Sequence, residues 1–75
     1  MIGKFVEENL ERDIKSFEVT NDLYKRYLKY CKTYNLKAIS RTSFGYRLSQ
    51  ERIGAWHKSK GKAARWGVKL LTCKY

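Results

Sequence analysis

Eleven residues in the second half of the chain have the types and spacing to hold a polyanion, and six of them fall on one short helical segment. Ser40 is a good helix N-cap, because its hydroxyl can accept from a backbone N–H a turn ahead, with Ser43 at the third helical position. Unpaired N–H groups and the helix dipole at such a terminus favour a phosphate oxygen, and Arg41, Thr42 and Ser43 stand beside it. Tyr46, Arg47 and Gln50 come one to two turns further on, where an exposed Arg or Gln can grip a guanine or adenine edge through two parallel hydrogen bonds. Phe44 and Leu48 mark the buried stripe. Gly45 costs about 1 kcal/mol relative to alanine inside a helix. That cost suggests a close approach of another backbone, a packed helix within the protein ahead of a ligand outside it.

Beyond Arg52, which joins the helix to the next segment and is counted with the binding residues, the pattern changes from helical to alternating. Ile53 to Lys58 reads as one strand, and its partner has Trp66, Val68 and Leu70 on one side with Arg65, Gly67, Lys69 and Leu71 on the other. Ser59-Lys60-Gly61-Lys62 supplies the turn. Lys58, Lys60, Lys62 and Arg65 flank or occupy this hairpin and suit phosphate contact better than base reading. Trp56 is expected to pack under the hairpin, and His57 to be an ordinary strand residue.

These elements need a scaffold. Ile2, Phe5, Val6, Leu10 and Ile14 recur at spacings of three and four and predict an amphipathic helix over Ile2 to Asp13. Phe17-Glu18-Val19 alternates and predicts a minor strand or edge. Thr20 is expected to cap a second helix over Asn21 to Tyr34, with Leu23, Tyr24, Tyr27, Leu28 and Cys31 on its apolar side and Lys25, Arg26, Lys29 and Lys32 opposite. Asn35 is its expected stop. Of the tyrosines, Tyr24 and Tyr27 read as core and Tyr30 as the surface candidate. The fold class implied is mainly α with a small β-hairpin, a winged helix of three helices plus wing, as a single domain over residues 1–75.

The charge places the anion-seeking surface. Seventeen Lys and Arg against seven Asp and Glu give a net charge of +10. Residues 1–20 carry −2, while residues 21–50 and 51–75 carry +6 each, so the acidic first helix is scaffold and the remainder faces the partner. Cys31, Cys73 and His57 give no metal-ligand spacing, and Cys31 reads as a small core residue among reduced thiols. No apolar run approaches the roughly 20 residues of a membrane span. No phosphate-binding glycine loop, paired carboxylate or neighbouring Cys-His couple is present, so no catalysis is expected of this chain alone.

Four segments resemble a known family: Phe5-Val6-Glu7-Glu8; Leu23-Tyr24-Lys25-Arg26-Tyr27 with Tyr30-Cys31; Ile39-Ser40-Arg41-Thr42-Ser43-Phe44-Gly45 with Leu48; and Trp66-Gly67-Val68-Lys69-Leu70. In this order they resemble the small C-terminal domain of phage and plasmid primase-helicases, similar to the C-terminal part of the poxvirus primase-helicase. The resemblance implies a winged-helix DNA-binding appendage that follows a superfamily 3 helicase motor, here either excised or a stand-alone relative. Ala55, Ala63 and Ala64 depart from the bulkier or more basic residues expected of such a wing.

The resulting expectation is a replication module that binds double-stranded DNA, forked or origin DNA included, on behalf of a helicase motor in the same parent protein. No cofactor, metal or membrane is expected, and the setting expected is the cytoplasm of a bacterial host, at the nucleoid. A small excisionase- or repressor-like DNA binder and a protein-docking winged helix are the alternatives.

Overall fold

The computed structural model describes residues 2–75, the side chain of Ser59 excepted. Its elements run α1 (Gly3–Asn9), β1 (Leu10–Val19), α2 (Thr20–Thr33), α3 (Arg41–Gln50), β2 (Ala55–Ser59) and β3 (Lys62–Leu70). The three strands form one antiparallel sheet in the order β1-β3-β2. The chain is 42% helical and 32% strand, which overturns the expectation of a mainly α domain with a small β-hairpin. The β-structure is a full three-stranded sheet, and the strand responsible is β1.

The physical reason lies at Asn9. Its side-chain amide donates to the Phe5 carbonyl (3.0 Å) and to the Tyr75 hydroxyl (2.8 Å), an alternative partner for a helix carbonyl that favours termination there. Leu10 then adopts φ −122° and ψ 152°, and the chain leaves as a strand. Only Ile2, Phe5 and Leu10 of the expected apolar stripe are buried, whereas Ile14 is 90% exposed. Strand β1 pairs with β3 in two stretches, Leu10↔Leu70 to Arg12↔Val68 and Phe17↔Trp66 to Val19↔Ala64. Between them the four residues Asp13–Ser16 stand against the single Gly67. Asp13 holds that excursion by accepting from the Lys15 N–H and the Ser16 hydroxyl, both at 3.0 Å.

Helix α2 begins one residue earlier than expected, with Val19 rather than Thr20 at the cap position and no side-chain cap. It stops as expected: Asn35 takes φ 56° and the Leu36 N–H reaches back to the Cys31 carbonyl at 2.7 Å. Helix α3 has the expected cap, with the Ser40 hydroxyl accepting from the Ser43 N–H at 3.2 Å. Arg52 plays the part of Asn35 at its other end, at φ 55°, with the Ile53 N–H bonded to the Leu48 carbonyl.

Phe5 sits at the centre of the core. Its ring meets those of Tyr27, Tyr30 and Phe44 edge-on at 5.5, 5.5 and 5.9 Å, and Tyr27 stacks on Phe44 at 4.8 Å. Tyr30 is therefore core, at 6% exposure, and not the surface tyrosine expected. The α2–α3 connection is fixed through Ile39, which receives the Tyr24 hydroxyl on its carbonyl (2.8 Å) and gives its N–H to the Tyr27 oxygen (3.2 Å). Arg26 is likewise not part of a free basic face: it donates to the Leu71 carbonyl at 2.8 Å and to Asn9 Oδ1 at 3.4 Å. Cys31 is buried and Cys73 exposed, both as free thiols.

Candidate nucleic-acid interface

Core packing sets the outward face of α3. With Phe44 and Leu48 fully buried, Thr42, Ser43, Tyr46, Arg47 and Gln50 are turned to solvent and together with Ile39 line a shallow depression of about 390 Å³. The tip of the β2–β3 hairpin is a two-residue turn with Lys60 at φ 51° and Gly61 at φ 79°, the backbone of a type I′ turn. Lys58, Lys60 and Lys62 are exposed along it.

A second depression, about 580 Å³, joins the two regions. Its walls are Val19, Asn21, Asp22 and Lys25 from the start of α2, Arg41 and Thr42 from the start of α3, and Lys62 and Ala63 from the hairpin. Arg41 donates to Asn21 Oδ1 at 2.8 Å across it. Asn21 and Lys25 are thus brought to the same face, although the sequence showed Lys25 only as one of several lysines on a helical basic side. Arg52 is not brought there: it lines a separate apolar groove with Val6, Ile14 and Trp66.

Arg65 is the one buried residue of the eleven. It is 3% exposed, and Nη2 donates to the Gly45 carbonyl (2.9 Å) and the Ser49 hydroxyl (2.7 Å), so it braces the hairpin against α3. Burial pushes its guanidinium below the usual arginine range. The reversal follows from Gly67, whose φ of 90° resets the strand alternation, so Arg65 and Val68 both turn inward and Trp66 turns out. Trp66 stacks on Phe17 at 4.5 Å on the outer side of the sheet. Trp56 does not pack under the hairpin but is 57% exposed beside α3.

The expected close approach at Gly45 is also absent: a Cβ there would meet nothing within 4 Å. Gly54 is where backbones crowd, since a Cβ would lie 2.9 Å from the Trp66 carbonyl oxygen.

Two ion pairs form among the described residues, Lys69–Glu11 (3.4 Å) and Lys74–Glu8 (3.2 Å). Neither involves a cation of α3 or of the hairpin tip, so Arg41, Arg47, Lys58, Lys60 and Lys62 have no carboxylate partner there. No group of three His, Cys, Asp or Glu is placed to hold a metal among the described residues, and no helix is long and apolar enough to cross a membrane.

A short, capped helix and a cationic hairpin set on an α/β scaffold define a small basic domain whose α3 and hairpin-tip cations form no ion pair among the described residues. The chain belongs to the Poxvirus D5 protein-like family, whose model matches residues 1–69. It is thus a domain related to the poxvirus D5 primase-helicase. No curated protein and no solved structure matches it.

Proposed function

We propose that this chain is the DNA-binding module of a D5-type replication protein. Helix α3 enters the major groove through Arg47 and Gln50, while Arg41, Lys58, Lys60 and Lys62 neutralise flanking phosphates. The observation that carries the reading is the run of exposed cations on α3 and the hairpin without a carboxylate partner, in a chain of net charge +10. The reading assigns binding to this chain, and leaves catalysis to a primase or helicase motor with which it works.

Titration of a labelled duplex at several salt concentrations tests it. With about five phosphates neutralised, the log-log slope of affinity against salt is expected near −4 to −5. A slope near zero would remove the duplex reading. Parallel titrations with forked and single-stranded DNA rank the substrates.

One observation favours a second reading, in which a protein partner is held instead. The outward Phe17–Trp66 stack and the apolar groove beside Ile14 lie on the sheet and α1 side, away from the face of α3. Failure to bind any of the three DNAs at low salt would favour it.

A further inference from the structure

A small hollow of about 250 Å³ lies between α3 and the hairpin, lined by Thr20, Gly45, Tyr46, Ser49, Trp56 and Arg65. Its chemistry is unbalanced. Arg65 is a buried cation whose two hydrogen bonds go to neutral acceptors, the Gly45 carbonyl and the Ser49 hydroxyl. Glu18 is opposite it in register, but that carboxylate accepts from the Leu70 N–H at 2.8 Å and makes no ion pair with Arg65. Two buried side-chain polar atoms lack a partner among the described residues, Arg65 Nε and Thr20 Oγ1, and both belong to residues of this hollow. Arg65 Nη1 has no partner among the described residues either, and is not sealed off as Nε is. A buried charge without an opposite charge is costly to a fold, and an anion seated beside it offsets that cost.

Gly45 lines the same hollow. A glycine in mid-helix is destabilising, and here no neighbouring atom requires it. What it does is keep a side chain out of the hollow.

We infer that the hollow is an oxyanion site, which takes one phosphodiester group of a DNA strand lying along α3, with Arg65 and Ser49 beneath it and Tyr46 and Trp56 at its sides. The site rests on the duplex reading above and deepens it. Tyr46 is 70% exposed and Trp56 57%, so each ring has a free face for the sugar or base next to that phosphate.

Gly45→Leu fills the hollow and Gly45→Ala begins to, and neither meets an atom within 4 Å at its Cβ. The duplex titration is repeated on both variants, with thermal melting as the check on folding. Losing one charge-assisted phosphate contact is expected to lower duplex affinity about tenfold in Gly45→Leu and to reduce the salt slope by about one unit. Gly45→Ala is expected to melt higher than the parent chain and still bind more weakly, a combination that a merely structural glycine would not give. Unchanged affinity and slope in both variants would overturn the site.

Inorganic phosphate, followed by NMR at the Arg65 Nε–H signal, separates this inference from the duplex reading. A saturable shift in the parent chain that Gly45→Leu abolishes supports the oxyanion site even if duplex DNA is not bound. No shift, together with unaltered duplex binding by the variants, rejects the site and leaves the duplex reading standing.

Discussion

At the scale of single residues, cations that look alike in sequence are divided by burial into different tasks. Lys60 sits at the exposed tip of the hairpin and Arg47 on the open face of α3, while Arg65 is folded inward against Gly45 and Ser49. The proposed interface therefore gives different outcomes for two substitutions of equal charge. Arg47→Ala is expected to lose about 1–3 kcal/mol of discrimination, narrowing the gap between a preferred and a random duplex. Lys60→Ala should weaken both duplexes alike and lower the salt slope by about one. Competition binding with two duplexes checks this, and equal behaviour of the two variants would mean that α3 does not read bases.

At the scale of elements, the packing of the hairpin base depends on Gly54. It has φ 68° and lies where a Cβ would come within 2.9 Å of the Trp66 carbonyl and 3.3 Å of the Arg65 Cβ. Gly54→Ala is expected to destabilise the domain by about 2 kcal/mol, read as a lower urea midpoint at unchanged slope. The contrast with Gly45→Ala, expected to stabilise, is a contrast between a crowded glycine and an open one. Much of this architecture was legible because its signals are local: the Ser40 cap, the Asn35 stop and the Gly61 turn are each fixed by a few neighbouring residues. Strand β1 was not, because Leu10 and Ile14 share a helical spacing with Val6, and the pairing of Leu10 with β3 is decided by residues near position 70. The candidate site divides the same way. The outward residues of α3 follow from the buried Phe44 and Leu48, but the inward turn of Arg65 depends on one positive φ at Gly67, which alternation alone does not reveal.

At the scale of the whole molecule, Glu8, Glu11 and Asp13 have partners outside α3 and the hairpin tip, while Asp22 lines the depression between α2, α3 and the hairpin. Glu8 is held below the ordinary carboxylate range by the Tyr34 hydroxyl, which donates to it at 2.8 Å, and by Lys74. The Tyr34 phenol is raised in return, chiefly by the same bond. Asp13 is lowered by the Lys15 N–H and the Ser16 hydroxyl. A carboxylate with a depressed folded pKa adds stability above its unfolded value, about 4, and loses it as pH falls through the folded value. A phenol with a raised pKa adds stability below about 10 and loses it as pH rises through the folded value. The melting temperature should therefore be level through neutrality and decline at both extremes, and Tyr34→Phe should soften both declines. A Tyr34→Phe melting profile that overlays the parent at all pH values would contradict this linkage.

The pairing of Leu10 with Leu70 has a kinetic meaning as well. The central strand of the sheet is the last of the three to leave a ribosome, and one of its two neighbours is the first. Helix α2 and helix α3 can begin to form while the chain is still growing, but neither edge strand has a partner until β3 arrives. The loop closed by that pairing takes in every other element but α1, and such long-range closure slows folding. Neither the cationic hairpin nor the completed sheet can form before β3, and a chain halted before it presents the basic helices without the hairpin or the Arg65 brace.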